Sequence, residues 1–171
     1  MLKSKKTYTT EEALQKMASL CSRAEQCESE IVKKLIKMGL SSSQREEIID
    51  YLKSERYIDN SRYARSFARD KARFSAWGPM KITASLRLLR ISSEHIRDAI
   101  ESVEPEIWEE GVIKTAKVKS KNLDLIGEDK HKEMAKLYRY LIGRGYKSDM
   151  ALRAVKEICR LRKMEAGEND S

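Results

Sequence analysis

A pattern of about twenty residues that occurs three times constrains this chain more than any other feature of its sequence. The segment KKLIKMGLSSSQREEIIDYL lines up with ASLRLLRISSEHIRDAIESV 51 residues later and, after a further 55, with RYLIGRGYKSDMALRAVKEI. Matching positions share a character: Leu35, Leu86 and Leu141; Leu40, Ile91 and Tyr146; Ser42, Ser93 and Ser148; Ile49, Ile100 and Val155; Leu52, Val103 and Ile158. This is the pattern of a helical hairpin. The leading apolar residues close one helix, the serine stands where an N-cap accepts the free amides of the next, and the last apolar pair shares one face at i, i+3. Gly39 and Gly145 supply the left-handed turn that ends the first helix. In the middle copy that position is Arg90, so the turn there is expected to be strained or differently shaped.

An amphipathic stretch precedes each hairpin: residues 10–24 with Ala13, Leu14, Met17 and Leu20; residues 61–74; and residues 106–120 with Ile107, Trp108, Val112 and Ile113. Each unit is therefore three helices. Low glycine and proline, seven and two in 171 residues, agree with an all-helical chain. The expected fold is all-α, three tandem three-helix repeats in an elongated, curved row. Units of about fifty residues bury too little surface to stand alone and must stabilise one another by stacking. Boundary signals place the repeats at 9–58, 59–103 and 104–163, with mobile tails at 1–8 and 164–171.

Charge supplies the strongest functional signal. Lys and Arg number 35 against 27 Asp and Glu, a formal net charge of +8, which suits an anionic partner such as nucleic acid or an acidic protein surface. Between residues 62 and 90 stand Arg62, Arg65, Arg69, Lys71, Arg73, Lys81, Arg87 and Arg90, opposed by Asp70 alone. On a helical wheel Arg62, Arg65, Arg69 and Arg73 fall within about 80° of one another, with Tyr63, Phe67 and Phe74 on the opposite side. Like charges one turn apart cost a helix roughly 0.2 to 0.5 kcal/mol per pair, so a stripe without interleaved glutamates reads as a face turned towards an anion or a partner. Trp77, Gly78 and Pro79 form a turn, and Trp77 beside the stripe is a candidate exposed aromatic anchor. Tyr57, Ile58 and Asp59 read as a helix end followed by a cap.

Other chemistries lack their residues. Cys21, Cys27 and Cys159 lie inside apolar helical patterns and read as reduced, buried thiols. His95 and His131 have no cysteine or histidine at metal-ligand spacing, so no metal or cofactor is expected. There is no Gly-rich phosphate loop, nucleophile elbow or HExxH motif, and the chain reads as a non-enzyme. No apolar run approaches the ~18 residues of a membrane span and the N-terminus lacks a signal-peptide core, which points to the cytoplasm.

The middle segment YIDNSRYARSFARDKARFSAWGPMKI resembles the signature of the RecX family of bacterial RecA regulators. The family pattern has an apolar-acidic-acidic turn, Arg-Phe-Ala, an aromatic one turn later, a basic stretch, Gly-Pro, and Lys or Arg before Ile. Here these are Ile58, Asp59 and Asn60; Arg62, Tyr63 and Ala64; Phe67; residues 69–73; Gly78 and Pro79; and Lys81 and Ile82. Gly143, Arg144, Gly145 and Tyr146 are similar to the family's Arg-Gly-Phe segment, and the first repeat to its Lys-Leu-x-x-x-Gly-Leu. Asn60 departs from the usual Asp-Asp and Arg90 from the glycine of Lys-Gly-Ile. The resemblance implies a monomeric protein that binds RecA as a filament on DNA, with weak direct DNA contact, and that dampens recombinase, ATPase and coprotease activities in DNA repair and the SOS response. A basic helical protein that competes with RecA for single-stranded DNA is the alternative the residues leave open.

Overall fold

The computed structural model describes residues 8–167. Among them are nine helices and no strand: α1 (Thr10–Cys21), α2 (Glu28–Lys37), α3 (Ser42–Ser54), α4 (Asn60–Ser75), α5 (Pro79–Leu88), α6 (Ser93–Glu101), α7 (Pro105–Ser120), α8 (Lys130–Gly143) and α9 (Ser148–Glu165). They form three successive trios. Residues 1–7 and 168–171 of the expected tails lie outside the described residues, while the helix α9 continues to Glu165 and the Tyr8 ring packs under the Lys16 ammonium at 4.7 Å. No described helix is long and apolar enough to cross a membrane.

The repeat positions are the core positions. Leu35, Leu86 and Leu141 are fully buried, one in each of three apolar clusters, and Leu40, Ile91 and Tyr146 close the same clusters from the turn that follows. All three turns have one shape. The amides of Leu40, Ile91 and Tyr146 donate to the carbonyls of Leu35, Leu86 and Leu141 at 3.4, 3.1 and 3.2 Å, and the residue before each amide has positive φ: Gly39 at 84°, Arg90 at 58° and Gly145 at 90°. The middle copy thus keeps the left-handed turn and carries the strain of a side chain there.

The caps fall one residue earlier than expected. Ser41 and Ser92, not Ser42 and Ser93, hold the extended backbone of an N-cap, and their hydroxyls accept the amides of Gln44 and His95. In the third copy Lys147 takes that position without a side-chain cap, and the Ser148 hydroxyl pairs with the Tyr138 hydroxyl at 2.9 Å. The thiols also differ from expectation: Cys27 is buried, but Cys21 and Cys159 are only half-buried. Burial raises the pKa of both half-buried thiols, which disfavours the reactive thiolate.

Stacking between units is built from residues that leave their own trio. Cys27, between α1 and α2, is buried in the cluster of the second unit, and Ile107 and Trp108 at the start of α7 pack on that same cluster. The Ser29 hydroxyl donates to the Leu89 carbonyl at 2.6 Å, and the Asn60 side-chain oxygen accepts the Glu28 amide at 3.1 Å. Asn60, the departure from the family's second acid, is therefore a direct tie between the first and second units. The second and third units meet turn to turn: the Gly78 amide donates to the Arg144 carbonyl at 2.8 Å and the Met80 amide to the Gly145 carbonyl at 2.9 Å.

Candidate partner-binding face

Helix α4 carries the basic stripe, and its orientation follows from three alanines. Ala64, Ala68 and Ala72 are its buried residues, and with them inward α4 packs most extensively on α6. Small side chains permit that close approach. The aromatic side opposite the stripe flanks these alanines: Tyr63 and Phe67 are half-buried, with ring centroids 5.9 Å apart, and Phe74 at the last turn is 83% exposed. The start of the helix is set by Asp59, whose carboxylate accepts the Arg62 amide at 2.9 Å. That bond lowers the Asp59 pKa, so the cap stays charged and complements the helix dipole.

The four stripe arginines are not equivalent. The Arg62 guanidinium pairs with Glu25 at 2.5 Å and also donates to the Arg56 carbonyl at 3.1 Å, so it ties α4 to the first unit. The Glu25 bond raises the Arg62 pKa still further. Arg73 reaches Glu104, ahead of α7, at 3.6 Å. Between them stand Arg65, exposed and without an ion-pair partner among the described residues, and Arg69, which meets only its exposed neighbour Asp70 at 4.0 Å. Arg62, Arg65 and Arg69 share a shallow hollow of about 320 Å³ with Glu25 and Asp59. Arg65 and Arg69 are thus two exposed guanidinium groups one turn apart with no partner from another helix, a geometry suited to bidentate capture of carboxylates or phosphates.

Lys71 and Lys81 form a second group around Trp77. Their ammonium groups lie 4.9 and 4.4 Å from the Trp77 ring centroid, and Phe67 meets the same indole edge-on at 6.4 Å. Trp77 is half-buried, roofed by two cations, rather than a projecting anchor. Cation–π contacts of this kind are worth roughly 0.5 to 1 kcal/mol at exposed sites. Arg87 and Arg90 are exposed at the far end of α5; Arg90 lines a separate groove of about 270 Å³ with Val32, Ile36 and Leu88. The eight basic residues therefore divide into an α4 face, a Trp77 cluster and an α5 end. Among the described residues no group of three His, Cys, Asp or Glu side chains is placed to hold a metal ion.

Sequence reasoning missed the joint beside this face. Arg144 donates to the carbonyls of Ser75 and Ala76, and the Tyr146 hydroxyl donates to the Ala76 carbonyl at 3.1 Å, so two residues of the third unit terminate α4. The signals were present as Gly-Pro and Gly-Arg-Gly-Tyr, but each reads locally as a turn.

Comparison with known proteins places these features in a group. Residues 59–100 match the family described as RecX, second three-helix domain. A regulatory protein RecX of Vibrio campbellii is 31% identical over 130 residues, covering 76% of this chain and 81% of that protein. One from Clostridium botulinum (strain Eklund 17B / Type B) is also 31% identical over 130 residues, covering 76% of this chain and 60% of that protein. The chain thus matches about three fifths of the length of that clostridial relative. Among solved structures, RecX from Lactobacillus salivarius superposes with a TM-score of 0.75 at 19% identity, over 86% of this chain and 95% of that one, which speaks to the fold. A second crystal structure of regulatory protein RecX gives 0.73 at 26% identity, over 86% and 73%.

Proposed function

The chain belongs to the RecX family of regulatory proteins, and from that premise we propose that it binds RecA assembled as a filament on DNA and restrains it, with the α4 face as the principal contact. In this reading the protein lies along the filament groove, opposes extension, and dampens strand exchange, ATP hydrolysis and coprotease activity in DNA repair and the SOS response. It acts in the cytoplasm, as a monomer and without turnover of its own. The observation that carries the reading is the Arg65–Arg69 pair: two exposed cations that repel each other along one helix and are not neutralised across the units, as Arg62 and Arg73 are. A row of units stacked neighbour to neighbour also suits a helical target, because several modest contacts on successive subunits add through effective concentration.

The test is ATP hydrolysis by the cognate RecA on saturating single-stranded DNA at near-physiological salt, titrated with this protein. Inhibition well below one copy per RecA is the expected result, and the double variant Arg65→Glu, Arg69→Glu should lose it while keeping its helical circular dichroism. Undiminished inhibition by that variant overturns the role of the α4 face. Inhibition that appears only when the protein is abundant enough to coat the DNA favours competition for the strand instead. Salt separates the two independently, since six to ten phosphate contacts would cost about 10³ to 10⁵ in affinity between roughly 50 and 200 mM salt.

A further inference from the structure

A second surface feature lies apart from the Arg65–Arg69 pair. It is a groove of about 620 Å³ between the end of α4 and helices α7 and α8. Three large apolar side chains line it while open to solvent: Phe74 at 83%, Val118 at 62% and Tyr140 at 40% exposure. One exposed apolar residue is ordinary on a protein surface, but three around a single concavity are not. Leaving Phe74 out forgoes the stabilisation a buried phenylalanine gives, and its neighbours in α4 show that small inward residues already complete the core.

Charge around the groove is unequal. Arg73, Lys114 and Arg144 line it against Glu110 alone, and Lys119 stands over the Tyr140 ring at 5.0 Å. Glu104 takes up part of the Arg73 charge, whereas Lys114 has no ion-pair partner among the described residues. An apolar lining with a basic rim is the complement of a peptide that sets an apolar side chain among carboxylates. A nucleic-acid strand fits less well: it needs cations in file along its backbone, and here the cations ring an apolar concavity lined by Phe74, Val118 and Tyr140.

We propose that the groove between α4, α7 and α8 is a docking site for an acidic peptide segment that carries an aliphatic or aromatic anchor residue. The anchor packs against Phe74, Val118 and Tyr140, and its flanking carboxylates meet Lys114 and Arg73. This goes beyond the filament reading and does not rest on it, since it is tested without RecA or DNA.

The probe is a fluorescein-labelled nonapeptide of Asp and Glu around a central Leu-Phe pair, titrated with the full chain by fluorescence anisotropy. Saturable binding with a Kd at or below about 10⁻⁴ M is expected, weakened about tenfold by Phe74→Ala and about tenfold by Lys114→Glu. Both residues are exposed, so the variants should keep the wild-type melting temperature; Val118→Asp serves as a third if either does not. Arg65→Glu should bind the peptide as the wild type does. Absence of saturable binding overturns the proposal, as does binding that survives all three groove substitutions or is lost in Arg65→Glu alone. Displacement of the peptide by an oligothymidylate, with the groove variants losing oligothymidylate binding in parallel, overturns it in favour of a nucleic-acid groove.

Discussion

The backbone of Gly78 rests on that of Gly145. A side-chain carbon on Gly78 would stand 2.2 Å from the Gly145 carbonyl carbon, and one on Gly145 would stand 2.3 Å from the β-carbon of Lys81. The two turns are joined by main-chain hydrogen bonds at 2.8 and 2.9 Å, so neither can retreat without breaking that pair of bonds. Gly78→Ala should therefore lower the stability to urea by about 2 to 3 kcal/mol through overpacking. Gly145→Ala should cost at least as much, because its φ of 90° adds backbone strain. Gly143, with nothing within 4 Å of an added carbon, is the control: alanine there should be neutral or stabilising by roughly 0.5 kcal/mol. Equal responses at positions 78 and 143 would show that the joint does not carry load.

Arg90 is a side chain held where two homologous turns hold glycine. Relief of the left-handed strain, about 1 to 2 kcal/mol, is partly offset by the greater chain entropy of glycine when unfolded, about 0.4 to 1 kcal/mol. Arg90→Gly should thus raise stability by about 0.5 kcal/mol in a denaturant titration. If Arg90 contacts the filament, the same variant inhibits RecA less while melting higher. A variant that is both less stable and less active would mean that Arg90 has a structural partner.

The cap register makes a prediction at adjacent serines. Ser41→Ala should destabilise by about 1 kcal/mol, since the hydroxyl accepts the Gln44 amide and the Gln44 side chain returns the bond to the Ser41 amide. Ser42→Ala, one residue into α3, should change thermal stability by no more than a few tenths of a kcal/mol. The same order is expected for Ser92 and Ser93. Thermal melts of the four variants decide it.

Alkaline pH should weaken the second unit through Tyr63. Burial pushes its phenol up to about 12, so the folded state holds the proton that the unfolded chain releases near 10. The stabilisation is fully present below pH 10 and is lost as pH rises from 10 through 12, by about 1 to 2 kcal/mol once solvent screening of the half-buried ring is discounted. Tyr63→Phe should flatten that part of the curve. Tyr146, whose phenol is also raised by burial, leaves a remaining slope. Guanidinium titrations at pH 9 and pH 11.5 compare the two proteins, and identical losses would refute the assignment.

Much of the fold was legible because its signals are local. Leu35, Leu86 and Leu141 announce one hairpin three times, and all three are fully buried. Asp59 as a cap and Pro79 at the first turn of α5 follow from their neighbours alone. The caps at Ser41 and Ser92 were misplaced by one residue because serines stand in succession there, and only the backbone angle distinguishes the half-helical one from the first helical one. The buried side of α4 was not assigned by the sequence, for a different reason. Hydropathy favours Tyr63, Phe67 and Phe74 over alanine, yet the residues buried on α4, which packs most extensively on α6, are Ala64, Ala68 and Ala72.

The sequence by itself determined an all-helical chain, its threefold repetition, the left-handed turn at Gly39 and Gly145 and a basic face along α4, since each depends on residues within a turn or two of one another. Only the tertiary structure decided which cations are paired between units: Glu25 occupies Arg62 from 37 residues away and Glu104 reaches Arg73, whereas Arg65 has no ion-pair partner among the described residues and Arg69 meets only its neighbour Asp70. It also set Gly78 on Gly145 and left Phe74 at the lip of a groove. Helix periodicity is written in i, i+3 and i, i+4 spacings, whereas contacts between units depend on how whole helices lie across one another, and no local spacing encodes that angle.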